Sequence, residues 1–252
     1  QYCFKKGIHV IATSPVFSKP VAEIALGMTL SLLRNIHTAH LDFIKGKEKY
    51  GLESNLKASL LSGKKVGLLG FGDLAKSLYP LLLPFTKDIN VYDPWITKIK
   101  IKKLGFKNIS LNKMFENCEI IYVLATVTTK NQNFIDKKLL EKIKPNSCFI
   151  LMSRAAVVNF KDLINVVKKR NIFVATDVFP EEPVPKKSSL RKVKNILFSA
   201  HRAGALKSAF FNMGDIVLKD MSLIRKNLKP KFCKIANKKT VNLIASKPVA
   251  IN

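Results

Sequence analysis

The stretch Lys65-Val66-Gly67-Leu68-Leu69-Gly70-Phe71-Gly72-Asp73-Leu74-Ala75 decides the fold. Val66–Leu69 is a strand-length apolar run, and a helix-like run, Asp73–Phe85, begins after three intervening residues. The turn between them reads G-x-G-x-x-A. Gly70 permits a tight reversal, Gly72 lets backbone come close to a ligand, and Ala75 is small enough for the helix to pack on the strand. The start of such a helix offers free N–H groups and the positive end of the helix dipole, a good seat for phosphate. Alone the motif is weak, since glycines recur at many strand-to-helix turns. Its context makes it specific: the next apolar run, Ile89–Tyr92, ends in Asp93, 18 residues beyond Ala75. An acid there can accept hydrogen bonds from ribose hydroxyls. The pattern predicts a dinucleotide site, and NAD as its cofactor.

Outward from this unit the same rhythm continues. Apolar runs recur at Ile120–Leu124, Cys148–Met152, Ile172–Ala175 and Ile196–Phe198, with helix-like stretches at Leu111–Asn117, Lys137–Ile143 and Phe160–Lys169 between them. Continuous, β-branched-rich runs suit strands buried on both faces of a parallel sheet. Alternation of this kind predicts an α/β fold, a doubly wound parallel sheet of Rossmann type. Ligands in such sheets sit beyond the carboxyl ends of the strands. Those ends deliver Gly70, Asp93, Ala125-Thr126, Ser153-Arg154, Asp177 and His201 to one edge. Ahead of the sheet, Pro20–His40 reads as one long helix with a wide apolar face; after it, Ala205–Leu228 reads as another and Lys229–Asn252 as a Lys-rich tail. Pro80 falls inside the first sheet-crossing helix and should bend it.

A net charge of +27 raises the question of nucleic acid, but only six of the 44 basic residues are Arg and the lysines are scattered. Specific recognition favours clustered Arg, and no recognition helix, zinc finger or RNA-binding motif is present; no specific nucleic-acid partner is expected. Weak attraction to polyanions at low salt is expected. Cys3, Cys118, Cys148 and Cys233 are too dispersed for a disulfide framework or zinc site, which fits a reducing cytoplasm. The apolar stretch Ile24–Leu33 is too short to span a bilayer, so no membrane partner is expected. His9, His37 and His40 read as structural or surface residues without a ligand set, Asp42 being the only acid nearby; no metal is expected.

Several ordered motifs then carry a resemblance: Val21-Ala22-Glu23, the glycine loop, Tyr92-Asp93-Pro94, Ser153-Arg154-Ala155 with Val157-Val158, Asp177-Val178-Phe179-Pro180-Glu181-Glu182-Pro183, and Ala200-His201-Arg202-Ala203-Gly204. From about Gly7 to about Leu228 the chain resembles the D-isomer-specific 2-hydroxyacid dehydrogenases, which include phosphoglycerate dehydrogenases. The resemblance implies hydride transfer between NAD(H) and a 2-hydroxyacid or 2-ketoacid, with Arg154, Glu182 and His201 as the catalytic trio. It gives Arg154 the substrate's carboxylate and carbonyl oxygen, His201 the proton, and Glu182 the task of holding His201 charged. Asp177 resembles the residue that contacts the nicotinamide carboxamide. The chemistry agrees: the oxygen on the reacting carbon needs a proton partner near neutral pH, which suits His, and a planar Arg suits a two-oxygen anion. Residue by residue, Arg154 alone could be a surface cation, Glu182 a solvated turn acid, as Glu181 is, and His201 a satisfied buried imidazole. The cofactor site is expected to draw on Gly70, Gly72, Asp73, Leu74, Asp93, Thr128, Met152, Ser153, Arg154, Asp177, His201 and Gly204.

Departures are informative. Leu151-Met152-Ser153-Arg154-Ala155 stands where the family often has Asn-Thr-Ala-Arg-Gly, Thr126-Val127-Thr128 replaces its Pro-x-Thr, and Ala200 and Arg202 flank the histidine. The substrate is therefore not transferable. Family members are larger, and Ile8–Ala12 resembles the last strand of their separate flavodoxin-like substrate domain. The expected division is 1–16 as a remnant of that domain after loss of an N-terminal segment, 17–204 as the NAD-binding domain with its long N-terminal helix, and 205–252 as a returning helix and tail. The resemblance and the wide apolar face of Pro20–His40 also predict a homodimer. An alternative of another class is an NAD(H)-binding, corepressor-like regulator on the same fold.

Overall fold

The structure, a computed structural model, describes residues 2–236; the remainder of the Lys-rich tail lies outside the described residues. In chain order the strands are β1 (Ile11–Ala12), β2 (Val66–Leu69), β3 (Ile89–Tyr92), β4 (Lys107–Asn108), β5 (Ile120–Val123), β6 (Cys148–Leu151), β7 (Phe173–Thr176), β8 (Ile196–Phe198) and β9 (Lys234–Ile235). The α-helices are α1 (Tyr2–Lys5), α2 (Ser18–Leu33), α3 (Ile36–Ile44), α4 (Asp73–Leu82), α5 (Lys98–Lys103), α6 (Leu111–Asn117), α7 (Lys137–Leu140), α8 (Phe160–Lys169) and α9 (Lys207–Arg225).

Seven parallel strands form one sheet in the order β4-β3-β2-β5-β6-β7-β8. The chain works outward from β2 to β4, then returns to lay β5 beside β2, so the order reverses between β2 and β5. Side chains alternate across the sheet, and both faces are apolar. Leu68, Ile120, Tyr122 and Ile150 enter the layer under α2 and α4, while Leu69, Ile121, Val123 and Leu151 enter the layer under α6, α7 and α8. All eight are buried, and each such side chain stabilises the fold by about 1.5–3 kcal/mol relative to exposure. The doubly wound reading thus holds strand by strand; the edge strand β4 and helix α5, both short and Lys-rich, carry no apolar pattern that would have revealed them.

The first long helix departs from its reading. Instead of one helix over Pro20–His40, α2 ends at Leu33, Asn35 takes a left-handed conformation (φ 54°), and α3 restarts in a new direction. Asn tolerates this region better than most residues, so an apolar periodicity that runs on through it conceals the break. With the preceding turn, Ser14–Leu33 is a 20-residue helical stretch, long and apolar enough by length and composition to cross a membrane, a length that counting from Ile24 underestimates. Here Val21, Ala22, Ala25, Met28 and Leu32 pack into the sheet-side core. Thr29 seals the contact: its hydroxyl donates to the Ala25 carbonyl (2.7 Å) and accepts from the Tyr122 hydroxyl (2.8 Å), both buried. Helix α4 runs on through Pro80, close to the span expected.

The described start of the tail, residues 229–236, is folded back onto the domain. Asp220 on α9, fully buried, accepts from the backbone N–H groups of Lys231 (2.7 Å), Phe232 (3.0 Å) and Cys233 (2.7 Å). That clamp turns the chain back so that β9 pairs antiparallel with β1, Ile11 opposite Ile235 and Ala12 opposite Lys234.

Candidate active site

The strand order reverses between β2 and β5, the place where ligands of such sheets bind, and the glycine loop lies at their carboxyl ends. Gly70 has φ +93°, and a Cβ there would lie 2.9 Å from backbone atoms of Ala125, so both its conformation and the closeness of the loop after β5 demand glycine. Gly72 differs: its φ is −86°, and among the described residues a Cβ would meet nothing within 4 Å, which leaves space beside it. Gly72 is also the N-cap of α4 and has no side chain to cap the free N–H groups of the first turn. Ala75 is buried against the core, with Leu74 packed beside it. Asp93 ends β3 and reaches back to this loop, Oδ2 accepting from Phe71 N–H and Oδ1 from Trp95 N–H, each at 2.8 Å. A carboxylate has about four acceptor positions, so capacity for ribose hydroxyls remains.

Beyond β6, β7 and β8 lie the groups that can move a proton. Glu182 is held twice. Its Oε1 accepts from Phe179 N–H (2.8 Å), and its Oε2 accepts from His201 Nδ1 (2.5 Å). With Nδ1 so engaged, Nε2 is the ring nitrogen left for a substrate oxygen. His201 sits in the left-handed region (φ 49°), an uncommon conformation for a residue with a side chain. Asp177 anchors the two residues after His201: its Oδ1 accepts from Arg202 N–H (3.0 Å) and its Oδ2 from Ala203 N–H (3.1 Å), with the residue 3% exposed. The family resemblance assigns Asp177 to the nicotinamide and gives no sign of this anchoring, because the partners are backbone atoms. Gly204 packs closely on Phe17, a Cβ there falling 3.1 Å from that ring.

Arg154 leaves β6 with its guanidinium folded onto the carbonyl of Ser153 (2.8 Å); its side chain is exposed on the same edge as His201, with which it makes no hydrogen bond. Beside it the Ser153 hydroxyl is buried and has no partner among the described residues. Met152 contributes its side chain to the core, and Thr128 is buried in a local turn with its N–H on Asn131 (2.6 Å) and its hydroxyl accepting from Lys130 N–H (3.3 Å). A cavity of about 620 Å³ lies elsewhere, at the amino-terminal edge of the sheet between Leu56, Lys64, Glu119, Ser147 and Phe173; it holds none of the motif residues.

The residues fit a dinucleotide. An uncapped helix start beside open space suits the pyrophosphate, and the orphaned Ser153 hydroxyl is a polar group without a partner at the edge where a nicotinamide would end. Fold and site together define a dinucleotide-binding domain. Residues 26–203 match the family described as "D-isomer specific 2-hydroxyacid dehydrogenase, NAD binding domain". The chain belongs to this family, and NAD is its cofactor.

Among solved structures, a phosphoglycerate oxidoreductase from Rhizobium etli superposes with a TM-score of 0.88 at 41% identity, covering 96% of this chain and 73% of that one. Of curated relatives, the Bacillus subtilis protein YoaD, provisionally named a 2-hydroxyacid dehydrogenase, is 32% identical over 80% of this chain and 59% of its own length. D-3-phosphoglycerate dehydrogenase of Methanocaldococcus jannaschii is 26% identical over 87% of this chain and 42% of its own. The chain therefore spans about half the length of these two relatives.

Proposed function

We propose that the protein works as an NAD-dependent 2-hydroxyacid dehydrogenase, interconverting a 2-hydroxyacid and its 2-ketoacid, D-specific as the family description implies. The observation that carries this reading is the Glu182–His201 pair, held on the same sheet edge as the glycine loop. When bound, NAD(H) supplies or receives the hydride. Arg154 binds the substrate carboxylate and orients the carbonyl, its guanidinium exchanging the Ser153 carbonyl for the stronger charged partner. His201 delivers a proton from Nε2 to the carbonyl oxygen during reduction and removes it from the hydroxyl during oxidation. Glu182 fixes the imidazole's orientation and tautomer through Nδ1, and Asp177 holds the loop behind it.

The wider organisation agrees with the same reading. β1 and β9 pair outside the main sheet, which supports assigning 1–16 to a separate substrate lobe, 17–204 to the cofactor domain and 205–252 to a return segment. The small-molecule acid is the partner, and the cytoplasm its setting. The segment after α2 supports a homodimer: Phe43, Tyr50, Leu52 and Leu56 are 65%, 76%, 79% and 73% exposed, too much apolar surface on one arm to leave in water.

Steady-state oxidation of NADH against a panel of 2-ketoacids tests the activity. One or more acids should support turnover, and His201→Ala should lower the rate by about 10²–10⁴, the usual yield of general acid–base catalysis. Glu182→Gln, which keeps the shape but not the charge, should fall between. Turnover that survives His201→Ala undiminished removes this histidine from the mechanism.

A further inference from the structure

The dinucleotide helix opens on an acid. Asp73 is the first residue of α4, directly after the uncapped Gly72, and stands where a pyrophosphate would rest. An acid in the first turn suits the helix dipole while the site is free of phosphate. Beside a pyrophosphate it becomes a like charge at the same helix end, and repulsion would weaken cofactor binding. The fold answers this from far along the chain. Lys234 of β9 places its Nζ 3.2 Å from Asp73 Oδ2. Its position is built, since the Asp220 clamp sets residues 231–233 and pairing with β1 then aligns Lys234 opposite Ala12.

We propose that Lys234 is a cofactor-binding residue, a cation delivered by the C-terminal strand to the pyrophosphate end of the site, where it offsets Asp73 and attracts the dinucleotide's phosphates. This rests on the dinucleotide assignment of the glycine loop. Cofactor affinity then depends on the seating of β9, so Asp220 acts on NAD(H) at a distance as a positioning residue. The sequence alone does not single out Lys234, because the tail offers many lysines and no local motif marks one of them.

The test is equilibrium binding of NADH, ADP-ribose and adenosine to the chain, by fluorescence titration or calorimetry at low and high salt. Lys234→Gln should raise the Kd for NADH and ADP-ribose alike, about three- to tenfold at low salt and less at high salt, as expected of a screened charge near the surface. Adenosine, which lacks the pyrophosphate, should bind unchanged. Asp73→Asn should tighten both dinucleotide ligands, and Lys234→Arg should retain wild-type affinity. Asp220→Ala should weaken NADH as Lys234→Gln does, with no further loss when the two are combined. Unchanged NADH and ADP-ribose affinity in Lys234→Gln overturns the proposal, as does an equal loss for adenosine, which would mark a general disturbance of the fold. If the wild-type chain binds neither NADH nor ADP-ribose, the dinucleotide assignment fails and this inference with it.

Discussion

On the proposed reading, Asp93 is the side chain that governs the choice between NAD(H) and NADP(H). Backbone N–H groups of Phe71 and Trp95 hold its carboxylate at the end of β3, so it cannot swing aside for a 2′-phosphate. Like charges at that range predict that NADH binds at least about fivefold more tightly than NADPH. Parallel titrations check this, and Asp93→Ala should narrow the gap; equal affinities in the wild type would contradict the role given to Asp93. Thr29 and Tyr122 make a comparable case for stability. Thr29→Val leaves the buried Tyr122 hydroxyl without a partner and should cost about 1–3 kcal/mol in denaturant unfolding. Adding Tyr122→Phe should restore much of that loss, because the polar group is then gone. At this scale the sequence is readable where residue type and position carry the chemistry: the φ of +93° bears out the tight turn read at Gly70, and Asp93 and His201 are the residues it proposes for ribose and proton. Roles that depend on backbone partners, such as those of Asp177 and Asp220, leave no such mark.

Among elements, the inner strands were legible because each is a short apolar run buried on both faces, and β2, β3 and β8 have the bounds the runs indicate. The break between α2 and α3 was not, since hydrophobic periodicity continues across Asn35 and only the φ angle of that residue changes. Nor was the β1–β9 pairing, a contact between distant two-residue strands, Ile11–Ala12 and Lys234–Ile235, too short to show any alternation. Its stability has a pH signature. Burial opposes ionisation of Asp220, but the backbone N–H groups of Phe232, Cys233 and Lys231 outweigh it and hold the carboxyl at about 2, down from 3.8. A depressed carboxyl stabilises the folded state above its unfolded value and loses that contribution as the pH falls through the folded one. The clamp should therefore be fully effective above about pH 4 and released between there and pH 2. Hydrogen exchange at residues 231–235 across this window checks it; Asp220→Ala should show the released behaviour at neutral pH.

For the whole molecule, two faces remain to be covered. The arm that continues from α2 exposes Phe43, Tyr50, Leu52 and Leu56, and α9 exposes Phe210, Phe211, Leu218 and Met221. A homodimer through the first of these is the expected solution state, and light scattering at micromolar concentration should give twice the 28.3 kDa chain mass. A clean monomer would count against it. The charge of +27 acts here as well, since a strongly basic protein raises the local concentration of the anionic cofactor and makes its binding salt-sensitive. On the proposed reading the carboxyl ends of β2 and β5 take a dinucleotide against Gly72. Gly72→Val tests it most directly, because the backbone there is extended with a negative φ and a Cβ meets no atom of the described residues within 4 Å. Valine is a poorer N-cap than glycine, so stability should fall by no more than about 1 kcal/mol. NADH titration of the two proteins should show saturable binding by the wild type and at least about a tenfold loss, 1.4 kcal/mol or more, in the variant. Equal NADH affinity in a folded Gly72→Val protein would contradict the account.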